Sequence, residues 1–290
     1  MKTHRLTRRQ MIALTAAAAS LGFAPHLAPL LADAKSRGFK IGACEWSLRK
    51  SDPSSMDLAK QIGIDGVQVT MGNVENNLHL RKPEVQQAYL DAAKHNGIEV
   101  SSIGIAVINQ VPLKNDPHAI EWLVDSIAVA QALKVKVILI AQFGNGNLKG
   151  DKPGIDRTVE ILKEHVSKAE QAGVIWGLEN LLSAEENLDI LDRVGSPAVQ
   201  IYYDVGNSTD QGYDIYKEIR MIKGRVCEFH AKDGKFMLGA GRVDFKKVRE
   251  AIDEIDYRGW IQIEAAAPTN LITDYQDNLA LLKTHFPLAA

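Results

Sequence analysis

Two cysteines in 290 residues are too few for a disulfide framework. Cys44 and Cys227 lie far apart in apolar, strand-like runs. They offer no zinc motif, and buried free thiols are expected. Beyond residue 34 no apolar run is long enough to span a bilayer. Basic charge is not in excess, with 34 Lys and Arg against 36 Asp and Glu. No Gly-x-Gly-x-x-Gly follows the first apolar run, which removes the main support for a dinucleotide-binding fold. No linker, low-complexity tract or composition shift marks a second domain after residue 34. The remaining composition, 46% hydrophobic and 24% charged, is that of one large globular α/β domain.

The first 34 residues differ from the rest. Arg8 and Arg9 sit within Thr7-Arg8-Arg9-Gln10-Met11, an Ala-rich apolar run extends from Met11 to about Ala24, and Ala32-Asp33-Ala34 offers a small-residue cleavage site. Charged start, apolar middle and A-x-A end make an export signal, and the paired arginines point to the twin-arginine route. Pro25, His26 and Pro29 shorten the run below the ~20 residues a span needs. Residues 1–34 are therefore expected to be removed, leaving residues 35–290 in the periplasm or outside the cell without stable membrane insertion. The signal holds four of the 34 basic side chains and one of the 36 acids. The remainder carries 30 against 35, a net of −5. That balance argues against a nucleic-acid partner.

Eight short apolar, β-branched runs recur: 39–48, 63–72, 98–107, 135–144, 174–180, 199–207, 225–234 and 259–267. Near-continuous apolar runs suit strands covered on both faces. Helical periodicity fills the intervals, as at Pro83–Asn96, Ile155–Ala172 and Leu271–His285. Asp116-Pro117 opens one helix as cap and first residue, and Ser183 with Glu186 forms a capping box for another. Gly63, Gly97, Gly173 and Gly259 stand where left-handed helix caps are wanted. Eight strand–helix units in about 250 residues predict a single (β/α)8 TIM barrel.

Such barrels carry their chemistry at the C-terminal ends of the strands. Four consecutive runs end in ionisable groups, Glu179, Asp204, His230 and Glu264. Three acids and an imidazole converging in one desolvated mouth would repel and resist ionisation unless a cation neutralised them. Three oxygens and one nitrogen suit one divalent metal. Mn²⁺ heads the candidates, with Mg²⁺, Co²⁺ and Zn²⁺ as alternatives. The competing reading is a salt-bridged polar cluster.

Leu178-Glu179-Asn180, Asp204-Val205-Gly206-Asn207, His230-Ala231-Lys232-Asp233, the stretch Gly239–Phe245 and Gly259-Trp260-Ile261-Gln262-Ile263-Glu264 resemble the xylose isomerase-like barrel superfamily. Its sugar phosphate isomerase/epimerase members are the nearest match. The resemblance implies that Glu179, Asp204, His230 and Glu264 bind the metal. It implies that Glu179 and Glu264 face opposite sides of the substrate carbon, one removing a proton and the other returning it through a metal-stabilised enediolate. It also implies a small-molecule carbohydrate substrate and, since family members are often dimers, a homodimer.

Two positions depart from the epimerase pattern. Asn207 stands where a substrate-binding His is common, and Lys232 follows the metal histidine where an Arg is expected beyond it. Lys232 either holds a developing oxyanion or forms a rim salt bridge with Asp233 or Asp204. Gly239–Arg242 reads as a tight turn ahead of the helix at Asp244 rather than a phosphate cradle. Export and the missing cradle favour an unphosphorylated sugar or glycoside. A 3-keto-glycoside 1,2-lyase or hydrolase is then the alternative to an isomerase/epimerase.

Further candidates for contact with substrate are Trp46, Gln142 and His79, alongside Asn207. Trp46 offers a ring to stack on a sugar or to fill the mouth. His79 lies in a loop after the second run, within reach of the mouth or of solvent. His95, His118, His165 and His285 fall on helical segments away from it. Two more distant readings are an endonuclease IV-like nuclease, disfavoured by charge and by the shortage of rim histidines, and a non-catalytic sugar-binding barrel, which needs no paired Glu179 and Glu264.

Overall fold

A computed structural model describes residues 38–286 of the chain. The expected export signal, residues 1–34, lies outside the described residues. Eight parallel strands close into a barrel in the order β1 to β8. They are β1 Lys40–Cys44, β2 Gly66–Thr70, β3 Glu99–Ile105, β4 Val137–Ala141, β5 Ile175–Glu179, β6 Val199–Asp204, β7 Val226–Ala231 and β8 Trp260–Ile263. Helices return the chain between them: α1 Glu45–Leu48, α2 Ser55–Ile62, α3 Pro83–Asn96, α4 Pro117–Leu133, α5 Lys152–Ala172, α6 Ala184–Val194, α7 Val205–Asp210, α8 Ile215–Met221, α9 Phe245–Glu254 and α10 Leu271–His285. None of the described helices is long and apolar enough to cross a membrane.

Local sequence accounts for the helix ends. Asp116 accepts from the His118 amide with Pro117 at the first helical position, and the Ser183–Glu186 capping box is complete in both directions. Gly63, Gly97 and Gly173 adopt the left-handed conformation that closes α2, α3 and α5. Gly259 does not. The left-handed position after α9 falls on Asp256, and Gly259 serves close approach instead, since a Cβ there would meet the Tyr257 ring. The apolar runs also overshoot the strands. Run 39–48 contains β1 and the one-turn α1, and run 199–207 contains β6 and the start of α7. The mouth side chains sit at these strand-to-helix junctions.

Most buried apolar side chains lie between sheet and helices in one continuous cluster. A second, small cluster of Val137, Leu139, Ala141 and Tyr202, packed against Trp46 and Phe143, fills one side of the barrel interior. The other side is polar. Gln68 on β2 bonds Tyr202 on β6, and Ser102 on β3 bonds Glu228 on β7. Only side chains crossing the lumen can join strands so far apart in the ring. At the base, Phe39 and Phe286 meet edge to face with centroids 5.1 Å apart. The Arg249 guanidinium lies over both rings and that of Arg258 over Phe39.

Candidate active site

The parallel register sets Asp204 beside His230 and His230 beside Gln262 at the C-terminal end of the barrel. Glu179 ends β5, and Glu264 follows β8 directly. One ligand atom from each of Glu179, Asp204, His230 and Glu264 lies within 4.8 Å of all the others. His230 Nδ1 is 2.8 Å from Glu179 Oε1, 3.6 Å from Glu264 Oε2 and 4.0 Å from Asp204 Oδ2. All four are buried except Glu264, whose side chain keeps 17% of its exposure and so faces the opening.

Each group is held by its own neighbours. Asp204 caps α7, its Oδ1 accepting from the Gly206 and Asn207 amides at 2.8 and 2.9 Å. Its Oδ2 is buried with no hydrogen-bond partner. Burial pushes the Asp204 carboxyl up to about 8; Lys232 opposes that shift, and Glu264 and Glu179 add to it. An orphaned carboxylate oxygen so raised, beside two more carboxylates and an imidazole nitrogen, is a fitting donor set for a divalent cation.

Glu264 is gripped on both oxygens, by the Trp46 indole N–H at 2.7 Å and by Lys232 Nζ at 2.9 Å. Burial works against its charge, but His230, Lys232 and these hydrogen bonds hold it below the usual carboxylate range. Burial also works against a charged His230, yet the Cys44 sulfur and the Glu179 carboxylate hold the ring well above the usual histidine range. Among the described residues Glu179 has no lysine or arginine partner; His230 is its one ionic neighbour.

Lys232 forms the salt bridge to Asp204 that one of its two readings named, and a closer one to Glu264. It bonds Glu264 and lies 3.6 Å from Asp204 Oδ2, and burial is outweighed by those acids, which raise its pKa. Its place depends on Gly206, where a Cβ would collide with the Lys232 stem. Asp233 plays another part. Its carboxylate accepts from the amides of Gly239, Gly241, Arg242 and Val243 at 2.7–3.0 Å. The Gly-rich loop is thus wound around an anion of its own, as the turn reading requires.

Trp46 is brought into the cluster, with its ring 6.1 Å from that of His230. Gln142 follows β4 beside Glu179, its amide donating to the Glu179 carbonyl at 2.8 Å, and its buried Oε1 has no partner. Asn207 contributes its backbone amide to Asp204. His79 stands apart. Its Nδ1 is 2.7 Å from Asn76 Nδ2, and it lines a separate cavity of about 210 Å³ with Thr70, Asn73 and Gln110. His95 and His118 are exposed and His165 and His285 half-buried, all on outer helices. Cys44 is buried and Cys227 partly so.

Sequence reasoning passed over the floor of the site. Gln68, Ser102, Tyr202 and Glu228 form a buried network beneath His230, and Cys44 Sγ lies 3.3 Å from His230 Nε2. Burial pushes Glu228 up to about 7 against hydrogen bonds from Ser102, Tyr202 and Gln262. The available signal was a lone glutamate inside the apolar run of β7, two residues before His230.

Residues 56–285 match the model of the family described as the xylose isomerase-like TIM barrel. The chain is 25% identical over 238 residues to 2-epi-5-epi-valiolone 7-phosphate 2-epimerase of Actinoplanes sp., covering 76% of this chain and 88% of that one. It is 25% identical over 232 residues to L-ribulose-5-phosphate 3-epimerase UlaE of Escherichia coli (strain K12), covering 74% and 82%. Among solved structures, D-psicose 3-epimerase of Clostridium cellulolyticum H10 superposes with a TM-score of 0.73 at 18% identity, covering 85% of this chain and 99% of the other. The 3-keto-D-glucoside 4-epimerase of E. coli gives 0.68 at 16% identity, with coverage of 85% and 99%.

Proposed function

The chain belongs to the xylose isomerase-like TIM barrel family, and on that premise we propose that it is an exported, divalent-metal-dependent enzyme. Its reaction is the abstraction of a proton next to a carbonyl of a carbohydrate, as in an isomerase or epimerase. The orphaned Asp204 Oδ2 amid Glu179, His230 and Glu264 is the observation that carries the metal reading. A bound cation there would polarise the substrate carbonyl and acidify the neighbouring C–H.

The protein's own groups divide the remaining work. Glu179, free of lysine and arginine partners, is the proton acceptor. Lys232 sets a positive charge beside the oxygen on which negative charge accumulates. Trp46 fixes Glu264 and offers its ring face to the sugar. Gln142 supplies an unpaired acceptor for a substrate hydroxyl.

The grip of Lys232 and Trp46 on Glu264 favours a second reading, elimination from a 3-keto-glycoside. An epimerase of this design exchanges roles between two carboxylates, and here one of them is tied at both oxygens. In the elimination Glu179 takes the C2 proton, the electron pair forms the C1–C2 double bond, and the C1–O bond breaks. The departing aglycone oxygen then takes up the proton that Glu179 holds, which restores the base. Asp233, seated in the Gly-rich loop, supports an unphosphorylated substrate for either reading.

Incubation in D₂O with free ketoses and with a 3-keto-glucoside separates the outcomes. Deuterium at the carbon next to the carbonyl without loss of aglycone marks the epimerase, and aglycone release marks the lyase. Glu179→Gln is expected to lower either rate by roughly 10²–10⁴-fold, the usual contribution of a positioned base. Turnover unchanged in that variant would remove Glu179 from the reaction.

A further inference from the structure

Beneath the metal-binding cluster the barrel lumen holds a row of side chains with essentially no exposure: His230, Gln68, Ser102, Tyr202 and Glu228. Their donors and acceptors fit in one direction only. Glu228 Oε2 accepts from Ser102 Oγ and from Tyr202 OH, both at 2.9 Å, with Gln262 Nε2 at 3.4 Å. Each hydroxyl has a single hydrogen, and the carboxylate takes both. The two hydroxyl oxygens must then accept, and the Gln68 amide donates to them at 3.0 and 3.1 Å. That turns Gln68 Oε1 toward His230 Nε2, 2.9 Å away, with the Cys44 thiol donating to the same oxygen at 3.2 Å. An amide oxygen can only accept, so His230 Nε2 carries a hydrogen, whatever the state of Nδ1, which lies 2.8 Å from Glu179 Oε1.

We propose that Glu228 is a positioning residue for metal capture: as the acceptor-only end of the row, it keeps a hydrogen on His230 Nε2, so that Nδ1, which faces Glu179, Asp204 and Glu264, is the nitrogen left for the cation. Glu228 touches neither the metal ligands nor the mouth. It acts through two hydroxyls and one amide, on the opposite side of the histidine from the cation. With a neutral amide in its place the row loses its direction. A glutamine at 228 can donate to the hydroxyls, which can then donate to Gln68. The Gln68 amide is free to turn its N–H toward His230 and leave the hydrogen on Nδ1, where it blocks the ligand position.

This inference rests on the metal reading of the cluster, and the experiment keeps the two apart. Mn²⁺ binding to the full chain is measured by calorimetry and electron paramagnetic resonance at pH 8, with no substrate present. Wild type must bind Mn²⁺; if it does not, the metal reading itself fails. Glu228→Gln is expected to bind about 10- to 100-fold more weakly, the usual cost of losing a partner behind a ligating histidine. The double variant Glu228→Gln/Gln68→Glu places an acceptor-only group directly against His230 Nε2 and is expected to recover most of the loss. Tyr202→Phe, which removes one of the two relays, is expected to weaken binding about threefold by the cost of one hydrogen bond. It also covers a Glu228→Gln chain that does not fold. Wild-type-like affinity in Glu228→Gln and Tyr202→Phe overturns the proposal, as does a double variant no tighter than the single.

Discussion

The two halves of the barrel mouth each hold a buried carboxyl at a strand end, and the two are put to opposite uses. On the β1–β4 side, Glu45 accepts from the Thr70 amide, the Tyr89 hydroxyl and the Ser55 hydroxyl at 2.7–3.0 Å. On the β5–β8 side, Asp204 keeps one oxygen with no hydrogen bond, only the charges of Lys232 and His230 at 3.6 and 4.0 Å. Burial raises both, Glu45 to about 7 and Asp204 to about 8. A raised pKa therefore does not separate a strut from a ligand; the count of hydrogen-bond partners does. Glu45 ties β1 to β2 and to α3, which fixes the turn that carries Trp46. Asp204 is left short of hydrogen bonds on the side where Glu179, His230 and Glu264 converge.

The contrast breaks most visibly if Asp204 is neutralised. Asp204→Asn is expected to lose the bound divalent ion, and with it activity by roughly a thousandfold or more, the several kcal/mol a Lewis acid contributes. Elemental analysis alongside turnover checks this, and a variant that keeps both would make Asp204 a strut like Glu45. The mirror change is Glu45→Ala, expected to cost about 2–4 kcal/mol of stability as three donors lose a buried acceptor, while metal content stays unchanged. Thermal melts with elemental analysis test it, and loss of metal without loss of stability would reverse the assignment.

The smallest effect is in the pH dependence of the metal-free protein. Asp204, Glu45 and Glu228 have folded values above their unfolded ones, so between about 4 and 8 the folded state binds more protons. His230, also raised, adds stability that is lost as pH climbs through its folded value. All four have the same sign and outweigh the lone opposing contribution of His79, which burial lowers, so the metal-free protein becomes less stable from pH 5.5 to 8.5. A bound cation needs Asp204 and His230 deprotonated and removes those two contributions. Melting temperatures are therefore expected to fall by a few degrees more across that range in chelator than with saturating Mn²⁺. Equal slopes would show that the cation does not engage these groups.

The barrel and its candidate ligands were legible for one reason. Strands covered on both faces are apolar throughout, so an acid or histidine at the end of such a run stands out, as Glu179, Asp204, His230 and Glu264 do. The roles of neighbours were less legible. Lys232 had two readings in one dimension, and only closure of the ring, which sets Gly206 under its stem, brings it onto Glu264 and Asp204 rather than Asp233. Gln68, Ser102, Tyr202 and Glu228 were invisible because their partners lie 26 to 134 residues away across the lumen. Gly259 was misread because a glycine after a helix serves close approach as readily as a left-handed turn.

The clasp of Phe39 and Phe286 sets both ends of the described chain at the pole opposite the cup. A label, linker or solid support attached at either end would leave the opening pointing outward into the medium. Immobilised copies should then keep the metal affinity and turnover of free ones, whereas anchoring through Lys235, on the rim loop after β7, should crowd the entrance.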